Sequence, residues 1–154
     1  MEKGYYMIRV MFVCHGNICR STMAESVLTN MVKERGIEDE FIIASSATST
    51  EEIGNDPHYG TVNKLQEKNI DLVPHKAVQL KKSDYENYDY FIGMDEANIN
   101  DMVRILGNDE KVFSLLSFAG IYINIADPWY TNDFDRTFQD IVRGCEGFLD
   151  YLGF

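Results

Sequence analysis

An open α/β sheet with mainly parallel strands is the fold class this sequence predicts. Three observations carry it. Met7-Ile8-Arg9-Val10-Met11-Phe12-Val13 is an almost continuous apolar run, the pattern of a strand buried on both faces. Short strand-like runs then alternate with stretches of helical period. The chain closes on a long amphipathic segment, 133–152.

The elements follow in order. Thr22 to Glu34 carries Met23, Val27, Leu28, Met31 and Val32 at helical spacing, with Arg35-Gly36 as the stop. Phe41-Ile42-Ile43-Ala44 is the second strand, and Ser45 to Thr50 reads as the loop after it. Asn55-Asp56-Pro57 is expected to cap a helix reaching about Lys68, with Val62 and Leu65 inward. Tyr90 to Met94 is a third strand, after which Asp95 opens a helix bearing Ile99, Met102, Val103 and Leu106. Lys111-Val112-Phe113 is a short fourth strand. Phe134, Phe138, Ile141, Val142, Phe148 and Leu149 form the inner face of the closing helix. In such sheets ligands bind beyond the carboxyl ends of the strands, here near Cys14, Ser45 and Asp95.

A chain of 154 residues with 45% hydrophobic content fits one domain, 1–154. Its net charge of −11 argues against non-specific nucleic-acid or anionic-membrane binding. No run approaches the ~20 apolar residues of a membrane helix. The start, Met1 to Tyr6, lacks a signal peptide's basic and apolar regions, so a cytoplasmic location is expected. Three cysteines, Cys14, Cys19 and Cys145, make neither a disulfide framework nor a zinc pattern. Their interest is therefore reactivity, with Cys145 expected in the core of the last helix.

The segment with the most chemistry is Val13-Cys14-His15-Gly16-Asn17-Ile18-Cys19-Arg20-Ser21-Thr22, between the first strand and the first helix. Backbone N–H groups in such a turn form a nest for an anion. Gly16 permits close approach and unusual dihedrals, and Asn17 tolerates a left-handed conformation. Arg20 offers a planar fork for two phosphate oxygens. Helix dipole, amides and Arg20 together favour an ionised sulfur at Cys14. The Ser21 hydroxyl can cap the helix or donate to that sulfur. A thiolate held where phosphate docks can attack phosphorus and form a cysteinyl-phosphate, which water then hydrolyses. The bland alternative is a strand–turn–helix connection with a buried cysteine. Cys-x5-Arg-Ser/Thr alone arises in about one chain in a hundred of this length. The Gly-Asn pair and the strand–loop–helix setting make that accident far rarer.

Val13 to Glu25, Val-Cys-His-Gly-Asn-Ile-Cys-Arg-Ser-Thr-Met-Ala-Glu, closely resembles the signature of the low-molecular-weight protein tyrosine phosphatases. The resemblance continues through Ser45 to Ser49, Glu52 to Asn55, His75-Lys76-Ala77, Tyr88-Asp89-Tyr90, Met94-Asp95-Glu96 and Asp127-Pro128-Trp129-Tyr130. It implies a four-stranded parallel twisted sheet with helices on both faces, a phosphate-binding loop after the first strand, no metal and no organic cofactor. It makes Cys14 the nucleophile, Arg20 the phosphate clamp and Asp127 the general acid. From the Asp-Pro dipeptide alone, a turn before a helix would be the better reading of Asp127. It places His15, Gly16, Asn17, Ile18, Cys19, Ser21, Glu51, Trp129 and Tyr130 around the substrate, with His15 at the rim. Asn17, Ser21, Ser45 and His75 are implied to form a hydrogen-bonded support, and Cys19 to trap an oxidised Cys14 as a disulfide. The expected partners are phosphotyrosine-containing proteins or peptides, with inhibition by phosphate-like oxyanions. A monomer is expected, with weak dimerisation left open.

Three departures from the family pattern bear on specificity. Thr22 replaces the proline usual after the loop serine, a tolerable change at a first helical turn. Glu51 stands where many relatives carry an aromatic wall. Asp56-Pro57-His58 replaces the usual double-proline run. Competing readings are a protein arginine phosphatase of the same fold, which typically has Thr where Ile18 stands, and a thiol-coupled arsenate reductase. The latter needs cysteines absent between Cys19 and Cys145. A non-catalytic phosphopeptide-binding module and a Cys14/Cys19 redox protein are the readings from other classes.

Overall fold

The computed structural model describes residues 7–154; the leader reading of Met1 to Tyr6 lies outside them. Four parallel strands form one sheet in the order β2-β1-β3-β4. They are β1 (Ile8–Cys14), β2 (Phe41–Ala47), β3 (Tyr90–Gly93) and β4 (Val112–Ser114). The helices are α1 (Arg20–Glu34), α2 (Tyr59–Glu67), α3 (Glu96–Leu106), the single-turn α4 (Pro128–Thr131) and α5 (Phe134–Leu152).

The apolar run of β1 has a simple cause. Val10, Phe12 and Cys14 face one core, which they share with Met23, Val27 and Leu28 of α1, Leu65 of α2, and Ile141, Phe148 and Leu149 of α5. Met11 and Val13 face the other, with Phe91, Met102 and Leu106. Alternate side chains of one strand therefore serve two cores, and α3 covers the face opposite α1, α2 and α5. Full burial of a side chain such as Phe12 or Phe148 contributes roughly 1.5–3 kcal/mol. Close approach shapes α5: a Cβ on Gly144 would meet Leu115 Cγ at 2.4 Å, and one on Gly147 the Phe118 carbonyl oxygen at 2.6 Å. Cys145 is buried in the core, as expected from its helical position.

Connections out of β1 and β3 leave the sheet on opposite sides, so a crevice opens between their carboxyl ends. Cys14 ends β1, and Asp95 follows β3.

Three local expectations need correction. Ser45, Ser46 and Ala47 are strand, not loop. They pair with Phe12, Val13 and Cys14, and Ala47 also bridges Gln79; ladder bonds to the central strand override the weak β-propensity of serine. The helix expected from Asn55-Asp56-Pro57 starts later. His58 is its N-cap, its side chain accepting from Gly60 N–H while its own N–H donates to Ile18 O, and Asn55 is used elsewhere, its carbonyl accepting from Ala77 N–H. The fourth strand runs over Val112–Ser114, one residue later than read.

Candidate active site

The site grows from the turn between β1 and α1. Helix α1 opens at Arg20 with no side-chain cap on Cys19. Ser21 sits in its first turn. Its hydroxyl lies 3.0 Å from Cys14 Sγ, and its backbone N–H donates to the same sulfur at 3.4 Å. Of the two roles open to Ser21, contact with the sulfur is the one taken. The proline's substitute, Thr22, is buried and donates its hydroxyl to Cys19 O at 3.1 Å.

Asn17 carries the strained backbone of the loop, with φ of 59°. Gly16 has no left-handed φ; it serves close approach instead, since a Cβ there would stand 3.3 Å from Glu52 Cγ. The Asn17 side chain is fixed from both ends. Its Nδ2 donates to Ser21 Oγ (2.8 Å) and Ser45 Oγ (3.0 Å). Its Oδ1 accepts from Val78 N–H (3.1 Å) and lies 2.6 Å from His75 Nε2. Four bonds on a buried amide over-determine a conformation that by itself costs about 1 kcal/mol or more. Asn17, Ser21, Ser45 and His75 thus converge, but behind the loop. Asn17 and Ser21 do not line the cleft, because their polar groups are taken up in this network.

Glu25 extends the network inward. Ser45 Oγ donates to its Oε1 at 2.6 Å, and His75 Nδ1 stands 3.9 Å away. Burial pushes the Glu25 carboxyl up to about 7, only partly offset by the Ser45 hydrogen bond. Burial also lowers His75 below the ordinary histidine range.

Arg20 is 2% exposed. One terminal nitrogen donates to Asp95 Oδ2 (2.7 Å) and Ile125 O (2.9 Å). The other lies 3.4 Å from Asp127 Oδ2. Its Nε is buried and has no hydrogen-bond partner among the described residues. Burial works against the guanidinium's charge; Cys14, Asp95 and Asp127 outweigh it and hold the group above its usual range. Cys19, by contrast, is pushed up to about 12, chiefly by burial and then by Cys14 and Asp127. Cys19 is therefore a neutral thiol beside Cys14.

A cleft of about 90 Å³, open at its mouth, sits over these groups. It is lined by Cys14, His15, Gly16, Ile18, Cys19 and Arg20 of the loop after β1, by Glu51 and Glu52, and by Asp127, Trp129 and Tyr130. His15 Nε2 and Glu51 Oε2 meet at 3.0 Å on the rim. The aromatic flank is open to solvent: Trp129 is 56% and Tyr130 83% exposed. Asp127 is both a turn residue and a cleft residue. Its Oδ1 accepts from Trp129 N–H at 3.0 Å and caps α4, while Oδ2 faces Arg20.

Four contributors escaped the sequence reading. Asp95 was placed at the right strand end, but its pairing with Arg20 had no sequence signal beyond that position. Glu25 had one: it is a carboxylate four residues after Ser21, on the inward face of α1. Glu52 adjoins Glu51 at the cleft. The Ile125 carbonyl belongs to the backbone and leaves no mark on residue type.

This arrangement can hold a tetrahedral oxyanion against one guanidinium and a helix start, with a sulfur beneath it and a carboxyl at its side. The sequence profile of the family described as low molecular weight phosphotyrosine protein phosphatase matches residues 9–153. The chicken (Gallus gallus) low molecular weight phosphotyrosine protein phosphatase is 37% identical over 148 residues, covering 92% of this chain and 93% of that protein. The crystal structure of YfkJ from Bacillus subtilis superposes with a TM-score of 0.91 at 35% identity, covering 95% of this chain and 94% of the other. The Drosophila arginine phosphatase structure gives 0.87 at 25% identity, covering 96% and 99%. The chain belongs to the low-molecular-weight phosphotyrosine protein phosphatase family.

Proposed function

We propose that this chain hydrolyses phosphotyrosine in proteins, and small aryl phosphates, through a cysteinyl-phosphate on Cys14. The observation that carries the reading is that Cys14, Asp127 and Arg20, whose buried Nε has no partner among the described residues, line one cleft. Binding alone would require neither the sulfur nor the acid.

In the first step Cys14 Sγ attacks phosphorus in line. The S–P bond forms as the P–O bond to the phenol breaks, and the Asp127 carboxyl gives its proton to the departing oxygen. Arg20 and the loop amides hold the peripheral oxygens as charge moves onto them. In the second step water attacks phosphorus, Asp127 takes its proton, and the S–P bond breaks to release phosphate and restore the thiolate. Ser21, 3.0 Å from the sulfur, stabilises the thiolate as it leaves. Trp129 and Tyr130 supply an aromatic flank for the phenyl ring. Glu51, on the opposite rim, cannot stack and disfavours acidic residues next to the phosphotyrosine.

The likeness to the Drosophila arginine phosphatase supports a second reading, phosphoarginine hydrolysis. Ile18 and the bulky Trp129-Tyr130 pair favour tyrosine. The test is hydrolysis of para-nitrophenyl phosphate, a phosphotyrosine peptide and a phosphoarginine peptide by wild type, Cys14→Ser and Asp127→Ala, with vanadate as inhibitor. Turnover that prefers phosphotyrosine and is abolished by Cys14→Ser is expected. Faster release from phosphoarginine would favour the second reading. Vanadate binding without any turnover would make the protein a binding module.

A further inference from the structure

His58 touches both sides of the cleft without lining it. Its backbone N–H donates to the Ile18 carbonyl of the phosphate loop at 2.8 Å. Its Nδ1 accepts from Gly60 N–H at 3.0 Å and caps α2, which places the ring hydrogen on Nε2. The imidazole is stacked on Phe134, with centroids 5.4 Å apart and planes 18° from parallel. Gly60 makes that bed possible, since a Cβ there would fall 2.3 Å from the Phe134 ring. Trp129 stands edge-on to the imidazole, 5.6 Å away at 77°.

His58 is the only aromatic ring that Trp129 meets among the described residues. Trp129 as a whole is more than half exposed, so solvent and not packing surrounds much of it. An exposed tryptophan held on one side by one ring takes its orientation from that ring. The Trp129 backbone is separately tied to Asp127, so losing the ring contact turns the indole without releasing the acid.

We infer that His58 is a positioning residue for the substrate's aromatic ring: its imidazole, anchored on Phe134 and by the α2 cap, sets the angle of Trp129. The inference deepens the aryl-phosphatase reading and rests on it. In the proposed mechanism the loop and Arg20 hold the phosphate, and Trp129 meets only the aryl ring. His58 therefore governs affinity for the aryl group and not for the oxyanion.

Two variants separate the ring from the cap. His58→Asn keeps a side-chain acceptor for Gly60 N–H and removes the ring. His58→Phe keeps the ring and removes the acceptor. Trp129 is the single tryptophan, so its fluorescence reports the contact with or without turnover. His58→Asn should shift the emission spectrum and raise the KM for para-nitrophenyl phosphate about 2- to 10-fold, the size of one aromatic contact. Its kcat and its inhibition by vanadate should stay at wild-type values. His58→Phe should restore the KM and emission, with a Tm lower by about 2–4 °C from the lost cap. Wild-type turnover with an unchanged KM in His58→Asn overturns the inference alone, as does an equal loss of vanadate inhibition. A wild type that hydrolyses no aryl phosphate overturns the function and the inference with it.

Discussion

Replacing Glu25 by Gln should stabilise the protein increasingly as pH rises from acid to neutral. Glu25 is 5% exposed beneath the loop between β1 and α1, and burial raises its carboxyl from an ordinary 4.5 to about 7. Between those values the unfolded chain has released the proton while the folded chain still holds it. The folded state binds more protons, so stability falls with pH. The contribution is fully present below 4.5 and lost as pH rises through 7. The 2.5-unit difference between the two values, 7 − 4.5, converts to about 3 kcal/mol. Gln cannot ionise, so the variant escapes this loss. Its new amide adds a fixed offset of about 1–3 kcal/mol if left unsatisfied, which does not vary with pH. His75, lowered by burial, slopes the other way: its contribution is present above the ordinary histidine pKa and lost as pH falls. It is present in both proteins, so the difference between them reports Glu25 together with its coupling to His75, 3.9 Å away. Urea unfolding of both proteins at about pH 5 and about pH 8 measures that difference. A gain for Glu25→Gln of about 3 kcal/mol across the interval is expected. A difference that stays constant with pH would refute the account of Glu25 as a carboxyl held neutral by burial.

Other perturbations probe the cleft directly. Arg20→Lys removes the fork that spans Asp95, the Ile125 carbonyl and the oxyanion; kcat/KM for an aryl phosphate should fall about 10²–10³-fold, with vanadate inhibition weakened in parallel. Asn17→Ala frees a left-handed residue from four hydrogen bonds. It should lower Tm by about 4 °C or more and reduce kcat/KM; unchanged activity would deny the network a part in shaping the loop. Hydrogen peroxide should oxidise Cys14 to the sulfenic acid, with release of water. Condensation with the Cys19 thiol then expels a second water and forms a disulfide. Activity lost this way should return with dithiol in wild type and not in Cys19→Ser, and irreversible loss in both would exclude the trap.

What could be read in advance followed from how directly a residue's type expresses its task. A central strand buried on both faces has no choice but a run such as Met7 to Val13. A loop that bends left-handed and grips an anion needs Asn, Gly and Arg in close order, so Cys14 to Ser21 stood out. Ser45 and Ser46 misled because their β-conformation comes from pairing with β1 and not from their own propensity. Asn55 and Asp56 looked like caps, yet His58 takes that place because its N–H is bound to the Ile18 carbonyl, far away in sequence. Asp95 and Glu25 were invisible as partners for the same reason. Their roles arise where chain crossovers bring β3 and α1 against the loop. Of the residues that line the cleft, those of Cys14 to Arg20 stand out by their own types in one short segment, whereas Asp127-Pro128 reads as a turn by itself and is marked only by the family resemblance.

The most direct test of the mechanism is to trap the intermediate. Asp127→Ala mixed with para-nitrophenyl phosphate forms the phosphoenzyme readily, since that leaving group needs little protonation, and then stalls for want of a base to activate water. Rapid acid quench and mass analysis of the proteolysed protein should find one phosphoryl group, on Cys14, in stoichiometric amount and absent from Cys14→Ser. Steady phosphate release by the wild type with no phosphorylated Cys14 in either protein at any quench time would contradict the account.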